Sequence, residues 1–177
     1  IQQPITLLRE GVHWFGDSWG PIDGDWTLNV TAEGTPDLQA QIIESGDWGA
    51  TPGELELSPN ESKSIWYLVK NTGALTWRPG HIRLGTTGPR DRLSEFANGD
   101  WHSPNRPWAL DQIVDPGELV YLSIPISAPP NGGSWTEEFG LVKEGVAWFA
   151  DQGGPEDGAF TFTLSVEDTT EEQPTDS

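Results

Sequence analysis

Apolar and polar residues alternate along several stretches of the chain, and a period of two places every second side chain on one face of an extended strand. The clearest case runs from Glu118 to Ser127, where Val120, Leu122, Ile124 and Ile126 share a face until Ala128-Pro129-Pro130 ends the run. Phe160, Phe162, Leu164 and Val166 alternate in the same way, as do Trp26, Leu28 and Val30. Leu55 and Leu57 predict a short strand, with a turn at Pro59-Asn60-Glu61-Ser62. Trp66, Leu68 and Asn71 predict the next strand, and His81 to Thr86 another, closed by Gly88-Pro89. Trp135 to Lys143, Val146 to Ala150 and Ala159 to Glu167 complete the set. Residues 87–112, with Trp101 and Trp108 among them, form a connection too long for a plain hairpin. No segment sustains a helical period.

The Trp26 and Phe160 runs belong to a longer correspondence. L-L-R-E-G-V-H-W-F-G-D-S-W-G-P-I-D-G, from Leu7 to Gly24, returns as L-V-K-E-G-V-A-W-F-A-D-Q-G-G-P-E-D-G from Leu141 to Gly158, at a constant offset of 134 residues (141 − 7). A repeat that long is a whole domain rather than a solenoid unit. Residues 1–32 are therefore expected to be the C-terminal strands of a preceding repeat. Residues 33–53 read as a linker with room for one strand at Ile42 and Ile43, 54–168 as a complete module and 169–177 as an acidic tether. About seven to nine short strands in this arrangement describe an all-β fold, an Ig-like antiparallel β-sandwich. An isolated hairpin is marginal in water, so residues 1–32 are expected to pair with a sheet outside their own segment. That sheet belongs either to the complete module or to another chain reached by strand addition.

Composition narrows the function classes. With 28 acidic and 9 basic side chains the formal net charge is −19, which repels phosphate backbones and anionic lipid and argues against nucleic-acid and membrane-surface partners. There is no cysteine, hence no disulfide framework and no thiolate zinc site. No apolar run approaches the ~18 residues of a membrane span. Ten tryptophans point to a core built from aromatic rings, and the whole fits an extracellular or cell-surface protein. The chain begins at Ile1 rather than Met, so any export signal is expected upstream.

From Trp66 to Gly80 the sequence reads W-Y-L-V-K-N-T-G-A-L-T-W-R-P-G. Further on come I-R-L-G-T-T-G-P-R-D-R (Ile82 to Arg92), W-H-S-P-N-R-P (Trp101 to Pro107), D-P-G-E (Asp115 to Glu118), S-A-P-P (Ser127 to Pro130) and E-F-G-L-V-K-E-G-V-A-W-F (Glu138 to Phe149). This series resembles the bacterial four-tryptophan Ig-like domain, a type first described in autophagy cargo receptors and found repeated in exported cell-surface and cell-wall-associated proteins. The resemblance covers about two-thirds of the chain and implies a sandwich scaffold shared by modules of different ligands. On the residues themselves, Trp66, Trp77, Trp135 and Trp148 are expected to fill the core. Asn71 and Gly73 are expected to supply the turn or left-handed backbone between the first two.

Two clusters carry candidate chemistry. Trp101, His102, Asn105, Arg106 and Trp108 combine indole faces with amide, imidazole and guanidinium groups, the set that a sugar ring or a peptide needs. The same loop could equally fold over the end of the sandwich, with Arg106 tied to an acid and both indoles covering the core. The second cluster is D-x-x-G-P-x-D-G, with Asp17 and Asp23 in one copy and Asp151, Glu156 and Asp157 in the other. These carboxylates either surround calcium or bond local backbone N–H groups in Gly-Pro turns. His13, His81 and His102 are scattered, and no nucleophile elbow, zinc-helix or phosphate-loop motif occurs, so no catalytic residue is assigned. The expected role is that of a non-catalytic extracellular module of a repetitive bacterial surface protein, structural, adhesive or assembling. Its partners would be neighbouring copies of the module, in cis or as a homo-oligomer, or a glycan or cell-surface protein. Two alternatives stand beside it: a glycan or cell-wall binding module that targets an attached hydrolase, and a filament subunit that assembles by strand addition from residues 1–32.

Overall fold

A computed structural model describes residues 36–167 in full and, before them, the backbone of four short strands. The chain divides into two compact units, Ile1–Gly34 and Thr35–Ser177.

In the first unit β1 (Gln2–Ile5) pairs antiparallel with β4 (Trp26–Asn29), Gln2 opposite Asn29 and Ile5 opposite Trp26. Between them, β2 (Leu8–Arg9) pairs with β3 (His13–Trp14), Leu8 opposite Trp14. Trp26–Asn29 thus has a partner strand inside its own segment, the same pair that its counterpart forms. Gln2-Gln3-Pro4-Ile5 shows no alternation and was invisible as a strand, yet it supplies the missing ladder.

The second unit is a β-sandwich. One sheet has three strands in the order β10-β7-β5, made of β5 (Ala40–Gly46), β7 (Ser62–Asn71) and β10 (Leu119–Ser127). The other has six, in the order β6-β13-β11-β8-β9 with β12 added on β11. Its strands are β6 (Glu54–Leu57), β8 (Ile82–Thr86), β9 (Trp108–Ala109), β11 (Gly133–Lys143), β12 (Ala147–Trp148) and β13 (Phe160–Val166). All pairs among these are antiparallel except β6 with β13, which is parallel. β5 lies in the segment expected to be linker, so the sandwich begins ahead of Glu54. That segment contains the strand expected at Ile42 and Ile43, and a register shift between Ile42 and Glu44 breaks its alternation.

The second unit repeats the pairing of the first at the sequence offset. Adding 134 to Gln2↔Asn29 and Ile5↔Trp26 gives Thr136↔Thr163 and Phe139↔Phe160, and adding it to Leu8↔Trp14 gives Val142↔Trp148; all three are pairs of the complete sheet.

The core lies between the two sheets of the second unit. Val120, Leu122, Ile124 and Ile126 face Phe160, Phe162 and Leu164, all buried, as the alternation predicts. Tyr67 packs edge to face on Phe160 across the two sheets at 5.1 Å between centroids, and outside the strands Trp77 packs in the same way on Phe149 at 5.5 Å. The Tyr67 hydroxyl donates to the Thr161 carbonyl at 3.1 Å, and burial pushes its pKa well above the ordinary value of 10.0.

Four expectations about the core are corrected. Trp66 faces outward: on β7 the buried positions are Ile65, Tyr67, Val69 and Asn71, while Trp66 lies over Gly46 and stacks on exposed Tyr121 at 5.3 Å. Trp135 and Trp148 are half-buried, and of the four only Trp77, 1% exposed, sits fully within. Asn71 is buried for its amide, which donates to the carbonyls of Leu75 (2.9 Å) and Val114 (3.1 Å) and accepts from Gly73 N–H (3.1 Å). Gly73 is required by close approach rather than by a left-handed backbone, because a Cβ there would lie 2.7 Å from the backbone nitrogen of Gln39.

Candidate functional site

The long connection between β8 and β10 is held down by its arginines, and the motif that the repeat preserves is what holds them. Arg90 Nε donates to Asp157 Oδ2 at 2.7 Å, and its two terminal nitrogens donate to Asp151 at 2.8 Å each. This fork holds the Arg90 guanidinium above, and the Asp151 carboxyl below, their ordinary pKa ranges; hydrogen bonding is the main cause in both. Arg106, 8% exposed, donates from Nε to Glu144 at 2.6 Å and from Nη1 to the Asn105 carbonyl at 3.0 Å, and pairs with Asp91 at 2.6 Å. Both guanidinium groups lie against the Trp148 ring, Arg90 at 4.9 Å and Arg106 at 5.5 Å from its centroid. The indole has room because Gly85 and Gly140 stand opposite each other on β8 and β11; a Cβ on Gly85 would meet Trp148 Cη2 at 2.7 Å.

This geometry redirects the calcium reading. Asp151 and Asp157 already receive a cation, the Arg90 guanidinium, while Glu156 is exposed and outside the fork. Among the described residues no three His, Asp or Glu side chains converge as a metal site. Asp17 and Asp23 lie outside the described residues.

A second buried ion pair, absent from the sequence reading, anchors the same loop from within. Glu137 is 2% exposed on the inner face of β11, bonded by the Arg92 guanidinium and by Ser94 Oγ at 2.7 Å. Its position midway between Trp135 and Phe139 was the available signal, since residues two apart on a strand share a face.

The loop's ligand candidates separate into two sets. Trp101 is 6% exposed, packs edge-on to Phe139 and donates from Nε1 to the Pro125 carbonyl at 2.6 Å, so it offers no free ring face. Arg106 is consumed by its pairs, and Asn105 is turned to the loop, bonded to Ser103 Oγ at 2.8 Å. His102 is exposed and Trp108 half-buried. These two line an open groove of about 410 Å³, together with Asp100, Asp111, Ser123 and Pro125. The groove adjoins a second depression of about 260 Å³ lined by Ser62, Ser64, Asn98 and Ser127, and the two share Asp100 and Pro125. Asp100 and Asp111 take part in no ion pair among the described residues, unlike Asp91, Glu137, Glu144, Asp151 and Asp157. Sequence spacing alone could not bring Ser62, Asn98, Trp108 and Ser123 to one place, because only the β7/β10 pairing and the folded loop do so.

No protein-family model matches the chain. No curated protein matches it. Among solved structures it is similar to the ASH / PapD-like domain of human CEP192 (PapD-like domain 7), at 10% identity and a TM-score of 0.35, over 80% of this chain and 93% of that one.

Proposed function

We propose that the chain is a stretch of a tandem array of non-catalytic Ig-like modules of the four-tryptophan type, exported and displayed at a bacterial surface, where the modules space and present neighbouring domains. The observation that carries this reading is the shared register: the strands of the first unit pair as their counterparts do 134 residues later. A hairpin repeated to the residue at domain spacing supports descent from one module, with residues 1–34 as the end of a preceding copy. The non-catalytic part rests on what the acidic motif does. Its carboxylates Asp151 and Asp157 fasten Arg90 of the long connection, a structural task that leaves no convergent acid, base and nucleophile there. The high negative charge suits a solvated, well-separated array and disfavours nucleic acid or anionic membrane as partners.

Sedimentation of the full chain, and of a version beginning at Thr35, tests this proposal. Spacer modules should sediment as monomers in both forms, and the shorter form should keep a cooperative unfolding transition, because the core of the second unit is formed within it. Concentration-dependent oligomers that disappear when residues 1–34 are removed would overturn the spacer role in favour of assembly by strand addition.

A further inference from the structure

The groove along the outer edge of β10 has a composition that the spacer role does not use. Its two depressions, about 410 and 260 Å³, meet at Asp100 and Pro125 and so make one elongated surface rather than a single compact cavity. Trp108 contributes a half-buried indole at one end. Asp100 and Asp111 contribute carboxylates with no ion-pair partner among the described residues, and the other end brings Lys63, Ser62, Ser64, Asn98 and Ser127, with Ser127 Oγ bonded to Ser62 Oγ at 3.0 Å and to the Asn98 amide at 3.2 Å. Beside the groove, Ser123 stands opposite Trp66, whose ring stacks on Tyr121, so aromatic surface continues across the sheet.

We infer that this groove binds a neutral oligosaccharide. A pyranose presents an apolar C–H face and a rim of hydroxyls. The indole matches the first, and carboxylate, hydroxyl and amide groups match the second, the carboxylates as acceptors that cost least where they stay solvated. An elongated polar trough fits several linked rings better than one small molecule. The net charge of −19 and the two unpaired carboxylates outweigh the cation of the trough, Lys63, and repel an anionic polymer. A peptide added as a strand is disfavoured at this edge: Pro125 has no N–H to offer, and the Pro125 carbonyl already accepts from Trp101 Nε1 at 2.6 Å.

The test follows the ten indole N–H signals and the Asn side-chain amides of the full chain by NMR. Cellotetraose, xylotetraose, mannotetraose and chitotetraose are titrated in turn to ~10 mM, with a heparin tetrasaccharide and an alanine tetrapeptide alongside, a range that detects dissociation constants of ~1 mM. At least one neutral tetrasaccharide should shift both the Trp108 indole and the Asn98 amide, which line different depressions of the trough. Asp111→Asn should weaken that binding ~5–10-fold without moving the melting temperature, since the side chain is exposed and its loss removes one directed acceptor. Trp108→Ala should abolish binding; because this indole also packs on the core, Asp111→Asn carries the test if that variant is unfolded. The inference is overturned if no neutral tetrasaccharide moves the two signals. It is equally overturned if binding survives Asp111→Asn unchanged, or if only the heparin fragment or the peptide binds.

Discussion

Trp77 is the residue on which the packing of the sandwich is most directly tested. It is 1% exposed, bridges to Val114 through its backbone and stands edge-on to Phe149 with centroids 5.5 Å apart. Burying an indole withdraws roughly 150–250 Å² from water, which at ~25 cal/mol per Å² amounts to about 4–6 kcal/mol against an extended chain. The aromatic pair adds ~0.5–1.5 kcal/mol. Opposing both, Trp77 Nε1 is buried without a hydrogen-bond partner, a penalty of ~1–3 kcal/mol that truncation relieves. Trp77→Ala should therefore lower stability by ~3–5 kcal/mol, the range usual for a large aromatic removed from a core. Trp77→Phe keeps a ring against Phe149 and deletes the unpaired N–H, so its cost should be only ~1–2 kcal/mol. Urea unfolding followed by far-ultraviolet circular dichroism measures both without relying on indole emission. A loss below ~1 kcal/mol for the alanine variant, or equal losses for the two, would refute this account of the core.

Asn71→Ala leaves the Leu75 carbonyl without its partner in a buried corner, while the Val114 carbonyl keeps the Trp77 N–H and the Gly73 N–H keeps the Gln39 carbonyl, and should cost ~1–3 kcal/mol in the same urea assay; a loss below ~0.5 kcal/mol would mean that the amide is dispensable. Gly85→Ala drives a methyl group into Trp148 and Arg106 and should cost ~1–3 kcal/mol, more than Gly140→Ala, whose nearest contact is 3.2 Å; the reverse order would show that the indole does not rest on Gly85. Tyr67 adds a pH dependence. Its folded pKa is raised, so its contribution is fully present below the unfolded value of 10.0 and is lost as the pH climbs from there toward the folded value. Stability measured from neutral pH upward should fall beyond pH ~10 in the parent and fall less in Tyr67→Phe, and parallel curves would contradict the burial of the phenol.

The strands whose two faces differ in polarity were legible in the sequence, and those with matching faces were not. On β10 and β13 the alternation Val120-Leu122-Ile124-Ile126 and Phe160-Phe162-Leu164 names the inner face without ambiguity. On β7 the run Ile65-Trp66-Tyr67-Leu68-Val69 is apolar throughout, so periodicity cannot choose its phase and the large Trp66 was given the inner place that Tyr67 holds. β5 showed only as the short Ile42-Ile43 patch, because its register shift breaks the alternation, and the residue type of Glu137 carried no signal of burial, because acids are rarely fully buried. Within the candidate loop the roles depend on burial: Trp101 and Arg106 turn inward, while His102 and Trp108 remain on the groove. Asp100 and Asp111 carried no pattern, because what sets them apart is their place on the groove, a property of three-dimensional neighbours.

The shared register also means that this polypeptide holds two hairpins able to offer β8 a similar strand, the characteristic hazard of adjacent homologous domains, which misassemble by exchanging equivalent elements. Two positions break the tie. Where β11 has Glu137, β1 has Gln3, and where β11 has Gly140 the first copy has Thr6. Only the hairpin with Glu137 gives Arg92 a counter-charge inside the sandwich, and only the one with glycine opposite Gly85 leaves the space into which Trp148 lies down. The inner ion pair and the paired glycines are thus features of the second copy that the first lacks. Glu137→Gln, which copies the first repeat, should raise the yield of exchanged dimers on refolding at high concentration, and an unchanged monomer yield would place the discrimination elsewhere.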